Sequence, residues 1–503
     1  MIPASHPILS TEDALAFEAA LFRGDETREW EAMGRAGRGV ASAALRDFQE
    51  IGGLPACGRV LVLAGKGNNA GDALIAAKSV VEAFPAVHVD VVFVFGNRTL
   101  RPLAMRAWRE LQQAGPDRVT AIGPEMLSPE PSYDLCLDGV FGLQFKAPLA
   151  GQAAEALQLA NKLPVRLRAA VDLPSGLDDT SAFRADFTYA TGILKDSLLG
   201  CSNAGRLRYL DLGFFGSDSS ATARKSRVLL RSVLGPLAAL RPSHSDKRSF
   251  GHLFILAGSR SYPGAALMAV QAALHSGVGL VTALVPESLS AAFAAQAPEA
   301  MWVGLPETAG GGLASKGAHL LASRMHGATA VLAGPGLGRD PETLSLVGAL
   351  LKTSSVPFLL DADALQPDLV GSAIATLVLT PHAGEYARLG GGEDLPAYCS
   401  KAKAVVVLKG PTTRICAGTP ATVFHSIFGG PVLARGGSGD LLAGLTGGLL
   451  AQTPAEPLLA ACRGAVWHGS AADALARARG QTGVKVTQLL DHLPEVLRQP
   501  DVL

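Results

Sequence analysis

The sequence has no excess of charge of either sign: 44 lysines and arginines balance 44 aspartates and glutamates, for a formal net charge of zero. A chain without a global field has nothing general with which to hold a polyanion, which counts against nucleic acid as the main partner. It also lacks paired cysteines. Cys57, Cys136, Cys201, Cys399, Cys416 and Cys462 form neither a CxxC nor a Cys/His zinc spacing, so they read as buried thiols of a reducing compartment. The opening MIPASHPILSTEDALAFE has no basic start followed by an apolar run, so no secretory signal is expected. The richest apolar stretch, 441–450, is short, broken by glycine and preceded by Asp440, which makes it a core helix and not a membrane span. These absences predict a cytoplasmic protein without a membrane partner. A Walker motif (GxxxxGK followed by Ser or Thr) is missing as well, which excludes a P-loop nucleotide site.

What is present is enough for two cores. The chain has 503 residues, 48% hydrophobic and 17% charged, too long for one ordinary core and too apolar for disorder. Helical material over 11–48, with Ser10 or Thr11 as first cap, leads into RVLVLAG, a helix-like DALIAAKSVVEAF, VHVDVVFVFG, YDLCLDGVFG and RAAVDLPSG. Continuous apolar strands that end in glycine-bearing turns and alternate with helices predict a doubly wound parallel sheet. Composition turns small, polar and basic between 213 and 248, and the boundary is placed near Ser217. The rhythm then restarts with HLFILAGS, GLVTALVP, ATAVLAGPGLG, VPFLLDADAL, ATLVLTPH and AVVVLKG. The fold class is therefore α/β throughout: a Rossmann-like doubly wound domain at 1–216 and a second α/β domain at 217–503. In open α/β sheets ligands gather at the carboxyl ends of strands.

The first turn, Gly65-Lys66-Gly67-Asn68-Asn69-Ala70-Gly71-Asp72, fits GxGxx(G/A) between a strand and a helix, whose bare amides can hold a phosphate. A standard dehydrogenase is disfavoured, because the next strand ends in Phe95-Gly96-Asn97 without the acid that would meet a ribose. Asp138, Asp172 and Ser175 close neighbouring strands, and Lys146 follows Asp138. Asn69, Asp138 and Ser175 offer only oxygen, which suits a hard cation, and Asp172 with Lys146 can form an acid–base pair. Turn or cap roles for the two aspartates, and a solvated Lys146, fit equally well.

GKGNNAGDALIAA, LDGVFGLQFKAP and VDLPSGLD together resemble the NAD(P)H-hydrate epimerase family over most of 10–216. The resemblance implies that the first turn (Asn68, Asn69, Ala70, Gly71, Asp72) and the loop from Gly142 to Pro148 hold the hydrated cofactor. It further implies a potassium ion at Asn69, Asp138 and Ser175, and a catalytic pair of Asp172 and Lys146. Ala70 and Ala73 stand where glycine is usual in the family, and their methyl groups can crowd a backbone that must approach the ligand.

The second domain carries ARGGSGDLLAG at 434–444. A glycine-rich turn opening an apolar helix aims free N–H groups and the positive helix end at an anion. Asp440 at its edge is costly for a negative charge unless it works on a proton or a phosphate; a plain glycine-rich cap is the alternative. Lys409, Thr412 and Thr413 are phosphate donors by chemistry. His382 reads as a structural hydrogen-bonder or a ligand contact, and Glu385 as the capping acid of a following helix.

KRSFGHLFILAGS, SYPGAALMAVQAALHSGVGLVT, AGPGLG, LDADAL, LTPHAGE, LKGPTT and GGSGDLLAG, in that order over 240–475, resemble the ADP-dependent NAD(P)H-hydrate dehydratase family, which implies a ribokinase-like fold. By motif position Ala265, Gly336, Gly338, His382 and Asp440 would touch the hydrate. Lys409, Gly410, Pro411, Thr412, Thr413 and Gly439 would hold ADP as co-substrate, with Mg2+ accompanying it. Asp246 replaces a common histidine and Gly430 a common asparagine.

The two resemblances together imply repair of hydrated NADH and NADPH. The R and S hydrates are interconverted, and the S hydrate is dehydrated with release of AMP and phosphate, Asp440 acting as general base. A homo-oligomer is expected; the neutral charge says only that repulsion does not forbid assembly. The competing readings are a small-molecule kinase of the same fold, which would leave a phosphorylated product, and an N-terminal module that binds without catalysis.

Overall fold

The computed structural model describes residues 2–127, 130, 132–143, 145, 147–216 and 225–498. Ser217, the expected boundary, and Lys146 lie outside them. The chain divides into two compact units: 7–223 with 476–481 and 502–503, and 1–6 with 224–475 and 482–501.

In the first unit Ser10 caps the opening helix Thr11–Phe22, its Oγ accepting from the Asp13 N–H at 3.0 Å. A second helix follows over Glu26–Phe48. The sheet is parallel throughout, in the order Val119–Ile122, His88–Phe93, Arg59–Ala64, Tyr133–Gly139, Val165–Val171, Phe187–Thr191 and Arg206–Leu210. The apolar run of Arg59–Ala64 explains itself here. Val60, Val62 and Ala64 enter one core while Leu61 and Leu63 enter the other, as a strand covered on both faces requires. Strand order reverses between Arg59–Ala64 and Tyr133–Gly139. That is the crevice where a doubly wound sheet binds ligands, and the Asn69 turn and Asp138 both stand at it.

The second unit carries a mixed sheet. Seven parallel strands run in the order Met301–Leu305, Leu280–Pro286, His252–Leu256, Ala330–Ala333, Phe358–Leu360, Leu377–Leu379 and Ala404–Leu408. Thr413–Cys416 and Val423–Ser426 then pair antiparallel, and Ser226–Leu229 lies parallel to the last of these. Helix Ser438–Gln452 packs on helix Pro263–His275 so closely that a Cβ on Gly444 would lie 2.0 Å from the Ala269 carbonyl. Asp246 caps the short helix Lys247–Phe250 through the Arg248 and Ser249 N–H groups, so at this position its carboxylate has a structural task. Among the described residues no helix is long and apolar enough to cross a membrane.

Candidate functional site

In the first unit, strand Arg59–Ala64 turns so tightly that a Cβ on Gly65 would lie 1.9 Å from the Val140 carbonyl oxygen. Helix Asn68–Ala83 starts from Gly67 with no side-chain cap. Asn68 is exposed and Asn69 buried, and Asn69 Nδ2 donates to the Phe141 carbonyl at 2.7 Å. Ala70 and Ala73 are fully enclosed, and their methyl groups pack within the core of this unit. The Ala73 methyl explains Gly139, where a Cβ would come within 2.5 Å of it. The Ala70 and Gly71 N–H groups both turn back to the Gly67 carbonyl, at 3.1 and 3.3 Å, so neither is a wholly free donor at the turn.

Asp138 has no exposed surface. It accepts from Ser175 N and Ser175 Oγ, both at 2.7 Å, and from Val140 N at 3.2 Å. Burial pushes its carboxyl up to about 6 against these hydrogen bonds. The Phe141 N–H donates to Ser175 Oγ at 2.8 Å, so Phe141 joins Asn69 to the Asp138–Ser175 pair. The three expected cation ligands are thus brought together. A buried carboxylate met only by neutral donors among the described residues, beside amide, hydroxyl and carbonyl oxygens, fits a hard monovalent cation. Gly142 lies against Asn69, and Pro148 is exposed.

Asp172 follows strand Val165–Val171 in the left-handed region, at φ 66°, a conformation that costs a non-glycine residue energy and clusters at functional sites. Its Oδ1 accepts from Thr191 N at 3.1 Å, from Thr191 Oγ1 at 3.0 Å and from Lys195 Nζ. The expected partner, Lys146, lies outside the described residues, whereas Lys195 was not expected at all. It is fully buried at the end of the short strand Leu194–Lys195, which pairs with Ile8 and Leu9. The one signal in the sequence is a lone lysine closing the apolar GIL after a buried strand. Two more carboxyls share this region. Glu18 is pushed up to about 7, by burial first and with Lys195 pulling the other way. Asp72 is driven well above its ordinary range by burial, then by Asp172 and Glu18.

In the second unit Lys409 extends from the end of strand Ala404–Leu408. Its Nζ lies 3.0 Å from Asp361 Oδ1 and 3.9 Å from Glu385 Oε2. Asp361, nearly fully buried, also accepts from Thr380 Oγ1 at 2.8 Å. Burial alone would lower the Lys409 ammonium; Asp361, Glu385 and Asp440 outweigh it and raise it. Gly437, at φ 94°, starts helix Ser438–Gln452, and Asp440 sits in the first turn. Burial and then the Asp361 charge push the Asp440 carboxyl up to about 6, with Lys409 opposing. A Cβ on Gly439 would lie 3.4 Å from Lys409 Nζ, so the glycine turn passes directly over the lysine.

Ala265 and Gly336 are neighbours, since a Cβ on Gly336 would meet the Ala265 methyl at 3.0 Å. The Gly338 N–H donates to Asp363 Oδ2 at 3.0 Å. Gly410 and Pro411, both exposed, and half-buried Thr412 form the turn before strand Thr413–Cys416, and Thr413 Oγ1 reaches back to the Gly410 carbonyl at 3.4 Å. His382 resolves toward structure: its Nδ1 accepts from Gly384 N and Glu385 N, and Glu385 answers with a bond from the His382 N–H at 2.8 Å. That is a capping box on helix Ala383–Arg388. The imidazole stays more than half exposed, with Nε2 3.5 Å from Glu385 Oε1.

Comparison with known proteins matches a family described as NAD(P)H-hydrate dehydratase over residues 253–495, and one described as YjeF-related protein N-terminus over residues 30–197. The bifunctional NAD(P)H-hydrate repair enzyme of Moorella thermoacetica is 34% identical over 93% of this chain and 92% of its own length. That of Gloeobacter violaceus is 36% identical over 94% of each. A solved ADP/ATP-dependent NAD(P)H-hydrate dehydratase from Bacillus subtilis, co-crystallised with ATP/Mg2+, is 28% identical and covers 51% of this chain and 92% of that one, with a TM-score of 0.45. With relatives matched along nearly their whole length and both units represented, the chain belongs to the bifunctional NAD(P)H-hydrate repair enzymes.

Proposed function

We propose that the chain returns hydrated NADH and NADPH to use, the first unit interconverting the R and S hydrates and the second dehydrating the S hydrate at the expense of ADP. The observation that carries this reading is Asp440. It is a half-buried carboxyl in the first turn of a glycine-started helix, above a lysine fixed by the buried Asp361. A helix start attracts phosphate, and a carboxyl raised to about 6 is a usable base at neutral pH.

The hydrate carries its hydroxyl on a ring carbon next to nitrogen, and hydroxide is a poor leaving group. Asp440 takes the hydroxyl proton as the oxygen attacks the terminal phosphorus of ADP, so that AMP departs. The Gly436–Gly439 amides and Lys409 balance the moving charge. The ring-nitrogen lone pair then expels phosphate, and loss of a proton from the adjacent carbon restores the reduced nicotinamide. Lys409 to Thr413 and Gly439 hold the nucleotide; Ala265, Gly336, Gly338 and the exposed imidazole of His382 line the hydrate. Among the described residues no cluster of three His, Cys, Asp or Glu suits a metal, consistent with Mg2+ arriving on the phosphates.

In the first unit Asp172 takes the hydroxyl proton, the ring carbon–nitrogen bond opens to an aldehyde, and closure on the other face returns the proton. Lys146 is the proposed acid. Potassium would be held by Asn69, Asp138 and Ser175, where it would supply fixed positive charge to the crevice. The six cysteines, none in a disulfide and five of them buried, support a cytoplasmic setting.

The test is incubation of purified protein with mixed hydrate epimers and ADP or ATP, following reduced-nicotinamide absorbance, AMP or ADP, and phosphate. Consumption of both epimers with free phosphate is expected. A stable phosphorylated product would show a kinase instead, and one epimer left untouched would show a first unit that binds without catalysis.

A further inference from the structure

Lys195 is the least expected group in the first unit. A fully buried ammonium is tolerated only beside a fixed anion, and here it meets Asp172. All three donors to Asp172 converge on one oxygen: Lys195 Nζ, Thr191 N and Thr191 Oγ1 reach Oδ1. Oδ2 has no hydrogen bond among the described residues. The backbone holds the same orientation, because Asp172 sits at φ 66° with its N–H on the Tyr189 carbonyl at 2.9 Å.

Two other acids bear on the pair, and a third bears on one of them, from different elements. Glu18 comes from the helix that follows the Ile8–Leu9 pairing with Leu194–Lys195, Asp72 from helix Asn68–Ala83, and Glu29, acting on Glu18, from helix Glu26–Phe48. Burial holds Asp72 well above its ordinary range and Glu18 up to about 7. Of these carboxyls it is Asp172 that meets the Lys195 ammonium directly, through Oδ1.

We infer that Lys195, without touching substrate, is the positioning residue of the epimerisation site: with Thr191 it pins Oδ1 of Asp172 so that Oδ2 alone is presented to the hydrate hydroxyl. The inference rests on the reading of Asp172 as the proton-accepting group of epimerisation. It separates binding from proton transfer, since a buried lysine can alter the base without altering the surface the hydrate meets.

The experiment uses the full-length protein without nucleotide, so that only interconversion of the R and S hydrates is followed, against pH. Lys195→Met should lower kcat roughly 100-fold, the scale of general-base assistance, with KM within about twofold, and should move the acidic limb of the profile to higher pH. Adding Lys195→Met to Asp172→Asn should slow the reaction no further than Asp172→Asn alone, as residues acting through one another require. Thr191→Val, nearly isosteric and removing one donor, should lower kcat roughly tenfold with the same sign of pH shift, and it covers the case in which Lys195→Met does not fold. Unchanged kcat and pH profile in Thr191→Val and in any folded Lys195→Met overturns the inference while leaving Asp172 in place. Epimerisation surviving in Asp172→Asn removes the underlying reading instead.

Discussion

Ser175 gives Asp138 two hydrogen bonds of 2.7 Å, one from its amide and one from its hydroxyl, inside a pocket that leaves the carboxylate no exposed surface. Hydroxyls and amides orient a buried carboxylate, but they do not neutralise it. The Asn69 amide, tied to the carbonyl of Phe141, adds another oxygen at the same place.

The potassium ion proposed for this place makes a thermal prediction. Ligand binding to the folded state alone stabilises it by mass action, about 2.7 kcal/mol at a hundredfold excess over Kd. The first unit should melt several degrees higher in potassium chloride than in tetramethylammonium chloride. Asp138→Asn should abolish that difference. Equal melting of the natural sequence in both salts would remove the cation from this site.

With Asp440 as the proposed base, dehydration should be acid-sensitive. The base works as the anion, and burial with the Asp361 charge raises its titration from 3.8 to about 6. The rate at saturating substrates should therefore hold at neutral pH and fall as pH drops through about 6. Asp440→Asn should reduce dehydration by about 10²–10⁴-fold, while ADP affinity, read by calorimetry, stays within about twofold of the natural protein. Full turnover by that variant would assign the proton to another group.

Much of this is legible in the sequence, and the remainder is so for identifiable reasons. Strands covered on both faces are continuous apolar runs, so Arg59–Ala64 and Ala404–Leu408 announce themselves, as do the glycine turns at their carboxyl ends. Gathering Asn69, Asp138 and Ser175 needs only the rule that these ends converge. The partner of Asp172 obeys no such rule. Lys195 reaches it through a parallel pairing with Leu9, a register that no local periodicity encodes. Asp361 is similar: it stands within LDADAL, yet its ion pair with Lys409 spans 48 positions. That the methyl groups of Ala70 and Ala73 pack in the core is likewise a matter of tertiary structure that the turn motif alone does not state.

Asp47 predicts a distinct acid transition in the first unit. Burial alone would raise its carboxyl, but the guanidiniums of Arg208 and Arg477, grouped in the same unit, outweigh that and bring it down to about 2. A carboxyl depressed in the folded state stabilises it above its unfolded value of 3.8, and that stability is lost as pH falls toward about 2. The shift corresponds to about 2 kcal/mol. Asp47→Asn should lower the melting temperature at pH 7 and flatten the stability curve between pH 4 and about 2. An unchanged curve would mean that the arginines find no partner worth having in that carboxylate.

Two adjacent glycines separate the demands of folding from those of the nucleotide. Gly437 is left-handed at φ 94°, and a Cβ there would meet Met268 Sδ at 2.6 Å. An alanine should therefore destabilise the second unit by about 1–2 kcal/mol from backbone conformation alone, with more from displacing the methionine. Gly436 has no positive φ, and nothing lies within 4 Å of where its Cβ would stand. Gly436→Ala should fold with unchanged melting temperature. If the open space beside Gly436 is where phosphate approaches the helix start, the added methyl should raise the KM for ADP at least tenfold and leave R-to-S epimerisation untouched. A variant with unaltered KM for ADP would show that phosphate reaches the helix without passing over this residue, and the anion site would then have to be built from Gly439 and Lys409 alone.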